Sequence, residues 1–385
     1  METLTSTYYE VLGVGPKSDP NTIRKAYRLL ASRHHPDVSD DPHAHENMAR
    51  INEAFETLID AQKRNEYDAT LAGGGLQEER RLTQKPVVVR LKHRLRAHKT
   101  PIYAVAFTPD TGQLVSSAFD NEILWWDEEA EKPLRRAKLE AGVVSTLRPL
   151  PNDRMVAAGS TESILTLYRL DGAIVDTWKQ GTEEWASCIA ISSDGQTVAA
   201  GSIHRALSVN RTRDGGTVFR NKEHEQSVTA VCWSHNGRMV ATGSADATVR
   251  IYDARSGEHR HTIKQIRSTV TALAFSHDNK FLAVAAVDLS IRVFSLETGK
   301  LMKMVYGHSR PIEALAFHPN NWLFASASRD GTIGLWNAAK GIGNVRIEAS
   351  SRPVVCVAFS PDGTRLAAAG QDKLVRLFEV TVKEV

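Results

Sequence analysis

The sequence predicts a chain of two parts, a small all-α unit followed by an all-β seven-bladed propeller that is closed by its own N-terminal strand. Three observations predict this. Over the first seventy residues apolar side chains recur at helical spacing. That spacing stops in a glycine-rich, charged stretch. From Val87 onward, short apolar runs repeat with a period of 42 residues. A length of 385 residues suits the division, being too long for one ordinary core. With 42% hydrophobic and 24% charged residues, most of the chain can fold. The balance of 48 basic against 45 acidic residues, a net +3, gives no reason to invoke nucleic acid or a membrane surface as the main partner.

The opening "METLTSTYYEVLGVG" lacks a basic stretch followed by an apolar one, so no secretory signal is expected. No apolar run approaches the ~20 residues that cross a bilayer, and the expected location is the cytoplasm. "YYEVLG" reads as a short helix ended by Gly13. In "DPNTIRKAYRLLASRHH", Ile23, Ala26, Tyr27 and Leu30 form one apolar stripe, with Asp19 as N-cap and Pro20 in the first helical position. Arg24, Lys25, Arg28 and Arg33 fall off that stripe and are expected to face water. Pro36 cannot continue the helix and pushes His35 out of helical geometry. A second amphipathic helix follows in "HENMARINEAFETLIDAQKR", with Met48, Ile51, Phe55, Leu58 and Ile59 on one side. The two helices are expected to pack antiparallel as a hairpin, with His35, Pro36 and Asp37 on the connecting loop. Then "DATLAGGGLQEERRLTQKP" reads as a flexible linker, which sets the expected boundaries at 1–71, 72–86 and 87–385.

In the second part, "AVAFTPD" around Phe107 recurs as "CIAISSD", "AVCWSHN", "ALAFSHD", "ALAFHPN" and "CVAFSPD". Steps of 42 from Asp120 reach Glu162, His204, Asp246, Asp288, Asp330 and Asp372. The same steps from Trp126 reach Tyr168, Asn210, Tyr252, Phe294, Trp336 and Phe378. Such a period, with four short strands per unit, is that of a propeller blade. The fourth strand of the first unit is expected at Leu134 to Leu139, and its equivalent in the seventh would begin one residue beyond the chain. Stepping back by 42 instead reaches Lys92 to Ala97, so the N-terminal strand is expected to complete the last blade and remove the free edges. Blade three departs most, with His204 and Asn210 at the acid and aromatic positions, and a weaker internal hydrogen-bond network is expected there. Cys188, Cys232 and Cys356 lie in apolar runs with no Cys-x-x-Cys spacing and read as buried strand residues.

"GHSRPIEALAFHPNNWLFASASRDGTIGLWN", from Gly307 to Asn337, resembles a blade of the WD-repeat family, and the likeness covers about three-quarters of the chain. His308, Asp330, Trp336 and Ser326 or Ser328 have the composition of a hydrolytic triad, but the resemblance implies a buried structural network instead. With no exposed nucleophile and no oxyanion site, no catalytic residue and no enzyme activity are expected. By register, Phe119, Glu184, His204, Arg310, Arg329 and Arg352 are expected to line the face that propellers of this family use for partners. The three arginines come from blades six and seven and point to an acidic patch or peptide, against a plain reading as solvated loop residues.

The loop "ASRHHPDVSDDPHAHE" has three readings. His34, His35, Asp37, His43 and His45 are able metal ligands, but the adjacent His34 and His35 are poorly placed to face one ion, and no metal is expected. Acid–base catalysis needs a concavity that a loop between two short helices does not offer. A solvated turn stiffened by Pro36 and capped by Asp37, Ser39 and Asp40 is the plain alternative. Taken together, "TYYEVLGV", "IRKAYRLLASRHHPD" and "INEAFETLIDAQKRNEYD" resemble the J-domain of the DnaJ co-chaperone family over about Leu4 to Asp68. The resemblance implies that His35, Pro36 and Asp37 form the loop that activates a 70-kDa heat-shock chaperone of the DnaK kind. It further implies that Arg24, Lys25, Arg28 and Arg33 dock on that partner's acidic surface, and that ATP is used by the partner, this chain needing no cofactor. His34 stands where the family often has Tyr, and Met48 where it often has Phe. Neither a Gly/Phe-rich region nor a cysteine-rich zinc module follows. The expectation is a co-chaperone whose propeller selects or positions a protein client. The alternative is a scaffold with a regulatory or silent J-domain.

Overall fold

The structure, a computed structural model, describes residues 8–12, 14–15, 18–34, 44–61, 63–64, 67–68, 87–129, 131–139, 144–161, 164–171, 174–181, 186–319, 322–338 and 343–382. The chain forms two compact units that meet in sequence at Pro86 and Val87. Residues 72–86, expected as linker, lie outside the described residues.

In the first unit, α1 (Tyr8–Leu12), α2 (Pro20–His34) and α3 (Ala44–Ile59) surround one small core. Helix α2 begins where its cap demands. Asp19 Oδ1 accepts the backbone N–H groups of Asn21 and Thr22 at 2.8 and 3.1 Å, and Oδ2 accepts the Thr22 hydroxyl at 2.6 Å. Those hydrogen bonds, led by the Thr22 hydroxyl, hold the Asp19 carboxyl below its usual range. Ile23, Ile51, Ala54 and Leu58 are buried together with Tyr9 and Leu12. Tyr27 stacks on Phe55 at 4.1 Å and donates to Asn52 Oδ1 at 3.0 Å, locking α2 to α3 as a hairpin. The segment after α3 is tied back to α1, where Tyr9 donates to Asp68 at 2.6 Å and Arg64 Nε donates to the Tyr9 oxygen at 3.0 Å.

The second unit holds seven four-stranded antiparallel sheets. A first strand, β1 (Val87–Leu95), precedes blade one, which comprises β2 (Ile102–Phe107), β3 (Leu114–Ala118), β4 (Glu122–Asp127) and β5 (Lys132–Lys138). Blade two is β6 (Val144–Leu150), β7 (Arg154–Thr161), β8 (Ile164–Asp171) and β9 (Ile174–Gly181). Blade three is β10 (Ala186–Ile191), β11 (Thr197–Ser202), β12 (Leu207–Arg211) and β13 (Thr217–Asn221). Blade four is β14 (Val228–Trp233), β15 (Met239–Ser244), β16 (Val249–Asp253) and β17 (His259–Ile263). Blade five is β18 (Val270–Phe275), β19 (Phe281–Ala286), β20 (Ile291–Ser295) and β21 (Leu301–Val305). Blade six is β22 (Ile312–Phe317), β23 (Leu323–Ser328), β24 (Thr332–Asn337) and β25 (Gly343–Glu348). Blade seven is β26 (Val354–Phe359), β27 (Arg365–Gly370) and β28 (Val375–Val382), and β1 completes it by pairing antiparallel with β28, from Val87 opposite Val382 to Leu95 opposite Val375. The closure expected from the 42-residue count is therefore the one that forms.

Each first strand carries a register shift one residue in, so that Tyr103, Ser145, Ser187, Thr229, Thr271, Glu313 and Val355 are extra residues against the second strand. Two of these re-aimed side chains stitch neighbouring blades. Thr229 donates to the Val270 carbonyl at 2.6 Å, and Ser187 donates to that of Val228. Glycine is required where blades pack most closely, since a Cβ on Gly243 would lie 2.3 Å from Val270 Cγ1. The first strands also surround an axial cavity of about 910 Å³. That cavity corrects the expectation of three buried cysteines. Cys356 is buried, but Cys188 and Cys232 are only half-buried because their strands line the opening.

Candidate functional site

Three groups of residues were expected to matter, and the structure treats them differently. In the helical unit, the apolar stripe of α2 turns inward through Ile23 and Tyr27, which leaves Arg24 and Lys25 exposed on the other side. Arg24 Nη1 donates to Asn21 Oδ1 at 3.2 Å and is otherwise directed away from the core. Arg28 and Arg33 belong to the same helix, but their side chains are outside the description. His35, Pro36 and Asp37 fall outside the described residues, as do His43 and the side chain of His45.

The second group is the set that resembles a triad. In blade six Trp336 Nε1 donates to Ser326 Oγ at 2.7 Å, Ser326 Oγ lies 2.6 Å from His308 Nε2, and His308 Nδ1 lies 3.0 Å from Asp330. Ser326, not Ser328, is the member of the chain; Ser328 donates to the Arg310 carbonyl at 2.9 Å instead. Blade one repeats the set with Trp126, Ser116, His98 and Asp120, and blade four does so with Thr242, His224 and Asp246. With a neutral imidazole the donors run one way along it: indole N–H gives to hydroxyl, hydroxyl gives to Nε2, and Nδ1–H gives to the carboxylate. Burial accordingly pushes His98 and His224 below the usual histidine range, against the pull of Asp120 and Asp246. Burial acts to raise Asp246, yet hydrogen bonds from Thr248, the Glu225 N–H and His224 outweigh it and bring the carboxyl to about 2. Ser326 and Ser116 are fully buried, so no substrate reaches a nucleophile, and the network is structural.

Blades five and seven lack that histidine and use arginine. Arg292 Nη2 donates to Asp288 Oδ2 at 2.7 Å and its Nη1 donates to Ser290 Oγ, while Arg376 donates to Asp372. Blade three, expected to be weaker, shows no histidine–aspartate set among the described residues and keeps the serine turn contact that Ser244 and Ser328 make in blades four and six. Ser202 Oγ accepts the N–H groups of His204 and Ala206 at 3.2 and 3.1 Å, and Asn210 Nδ2 donates to the Gly215 carbonyl at 3.0 Å.

The third group lies at the loop end of the ring. Because the four strands of a blade alternate in direction, the turn between its second and third strands shares one end with the loop entering its first strand. Phe119, Arg310, Arg329 and Arg352 are exposed at that end, with Phe119 at 55%. His204 is also exposed there, but the position equivalent to Phe119 in blade three is Ile203, 46% exposed, and in blade five it is Val287, at 48%. Tyr103 is likewise exposed and its ring centroid lies 6.4 Å from that of Phe119. Sequence reasoning missed Ile203, Val287 and Tyr103, although steps of 84 from Phe119 reach the first two. Arg329 is ion-paired through Nε with Glu313, whereas Arg310 and Arg352 have no ion pair among the described residues. Glu184 lies outside the described residues.

Comparison with known proteins supplies names for both units. The DnaJ domain family matches residues 7–68. The family described as WD domain, G-beta repeat matches five segments, 89–127, 216–253, 257–295, 299–337 and 344–379. The stretch it passes over holds blade two and most of blade three, where Glu162 and His204 replace the turn aspartate. A chaperone protein DnaJ of Limosilactobacillus reuteri is 51% identical over 61 residues, which are 16% of this chain and 16% of its own length. A chaperone protein DnaJ 1 of Aquifex aeolicus is 46% identical over 72 residues, 19% of this chain and 20% of its own. A curved DNA-binding protein of Pseudomonas putida is 50% identical over 68 residues, 18% of this chain and 22% of its own. The chain thus spans between 16% and 22% of the length of these curated relatives, and the likeness is confined to the helical unit.

Proposed function

We propose that this chain, a DnaJ domain joined to a WD-repeat propeller, is a co-chaperone that brings a DnaK-like 70-kDa heat-shock chaperone to a protein held or positioned by the propeller. The observation that carries the reading is the DnaJ match over residues 7–68, which contains an intact His35-Pro36-Asp37 triplet directly after a helix with exposed Arg24 and Lys25. Long cationic side chains on one helix suit steering toward an acidic surface, and such steering weakens with salt. A loop stiffened by Pro36 presents the His35 imidazole and the Asp37 carboxylate with little ordering cost on association. The carboxylate is suited to competing for an arginine or backbone N–H groups of the partner, which biases it toward ATP hydrolysis and a tight grip on its client. At the propeller, Phe119, Tyr103, Ile203 and Val287 supply apolar contact area, and Arg310, Arg329 and Arg352 favour an acidic segment. His204 and Glu184 belong to the same expected surface.

Single-turnover ATP hydrolysis by a DnaK-like chaperone, measured with wild type and with His35→Gln, tests the reading. The expected outcome is stimulation by the wild type and its loss, about tenfold or more, in the variant. Equal rates for the two would leave the propeller as a scaffold with a silent appendage. Arg24→Glu is expected to weaken association with the chaperone, and more so at low salt.

A further inference from the structure

The axial cavity has an end that none of the partner-facing residues touches. It lies where the first and second strands of each blade are joined, opposite the end that carries Phe119 and Arg310. Arg148, on β6, lines it, and its Nε and Nη2 donate only to the Ser193 carbonyl, at 3.2 and 3.1 Å. No carboxylate stands within ion-pair distance of this guanidinium among the described residues. Desolvation depresses its pKa, with Asp194 acting at longer range in the other direction. A desolvated cation without a carboxylate partner is costly to keep and marks a place for an anion.

Two histidines stand beside it. His235 and His277 follow β14 and β18, line the same cavity and stack at 3.9 Å between ring centroids. His277 Nδ1 is buried with no hydrogen-bond partner. Stacked rings do not aim their nitrogens at one point, and no group of three metal-ligating side chains exists among the described residues, so a cation is the poorer occupant. The nearby carboxylates serve their own turns. Asp194 accepts the Ser192 hydroxyl at 2.6 Å and the Gln196 N–H at 3.0 Å, and Asp278 accepts the Ser276 hydroxyl at 2.6 Å and the Lys280 N–H at 3.1 Å. His318, on the side toward blade seven, is bonded through Nε2 to the Gly363 carbonyl at 2.9 Å.

We propose that this end of the axial cavity binds a compact oligophosphate anion, gripped by Arg148 and by the paired rings of His235 and His277. A guanidinium fork matches two phosphate oxygens at once, and each protonated imidazole adds N–H donors. The whole axial cavity, about 910 Å³, leaves room for an ion larger than a single phosphate. Binding is coupled to protons. In the free protein burial, then His277 and then Arg148 push His235 down to about 4, while the Phe275 carbonyl opposes. Burial, His318 and Arg148 lower His277 against the pull of Asp278. Both rings are therefore neutral near pH 7, and an arriving anion raises their affinity for protons. The anion binds more tightly as pH falls, by up to about tenfold per pH unit for each proton taken up.

Calorimetric titration of the full chain with sodium tripolyphosphate, near pH 6 and near pH 7.5 in buffers of different ionisation enthalpy, is the test. The expected result is one ion per chain, tighter at the lower pH with measurable proton uptake, and loss of binding in Arg148→Gln. Histidine side-chain NMR of the unmodified chain reads the same event without a substitution, as the His235 and His277 resonances move to protonated positions when tripolyphosphate is added. Unchanged affinity in Arg148→Gln, pH-independent binding, binding that does not saturate, or resonances that stay put would overturn the proposal. Citrate bound in preference to tripolyphosphate would overturn its assignment to phosphate.

Discussion

Ser326 shows how much one hydroxyl carries. It accepts a hydrogen bond from the Trp336 indole N–H and sits at hydrogen-bond distance from His308, in a place with no solvent exposure. Ser326→Ala strands two buried nitrogens at once, and each unsatisfied polar group costs roughly 1–3 kcal/mol. The expected loss is about 2–4 kcal/mol, read from the denaturant midpoint of propeller unfolding. Ser326→Thr is expected to cost much less, because Thr242 does the same work in blade four. These sets were legible in the sequence, since the 42-residue step aligns Asp120, Asp246 and Asp330 without an insertion. The arginine solution of Asp288–Arg292 and Asp372–Arg376 was not. It depends on a long side chain reaching back across the turn, a matter of rotamer and burial that spacing does not encode. Arg148, His235 and His277 were hidden for a different reason: the two histidines lie one period apart, but Arg148 stands three residues off their register, and the three come together only around the axial cavity.

Among the elements, the tight turn between the second and third strands repeats one strained position in the six blades whose turn is described. Asn121, Arg205, Ala247, Leu289, Gly331 and Lys373 stand one residue after the turn acid or its substitute, and all have positive φ, between 60° and 83°. Only Gly331 is free of the Cβ penalty of roughly 1–2 kcal/mol that other residues meet in this conformation. A Cβ there would also lie 2.0 Å from the Ser350 carbonyl oxygen, so that blade has no choice. At exposed Lys373, with φ of 68°, Lys373→Val is expected to be less stable than Lys373→Gly by about 1–2 kcal/mol, measured by urea denaturation. One glycine in six such turns explains why the sequence marks this position so faintly. The start of α2 was plain by contrast, because Asp19 and Pro20 each have one physical use there. In blade three, where His204 and Asn210 stand at the acid and aromatic positions, Asn210 Nδ2 bonds to the Gly215 carbonyl, a partner that no motif names.

For the whole propeller, stability depends on joining the ends of its sequence. Strand β1 pairs with β28 along eight residue positions, and a second clasp lies at the other side of the seam. There Arg365 Nη1 donates to both carboxylate oxygens of Glu128 at 2.8 Å, and its Nη2 donates to the Gly112 carbonyl at 2.7 Å. A chain shortened to residues 97–385 leaves the backbone groups of β28 unpaired on an open edge. It is expected to unfold at lower denaturant and to associate through that edge, seen as a concentration-dependent mass in light scattering. This arrangement was readable from the count alone, since the missing fourth strand of the last unit has an equivalent one period before the first.

The seam also orders events in time. On the ribosome β1 leaves the tunnel ahead of almost every other part of the propeller, and the strand that must receive it is made last. Six sheets have all their own strands before the seventh does, so the nascent ring stays open until β28 has been made. Throughout that interval β1 offers unmatched backbone to whatever it meets, as any unpaired strand edge does.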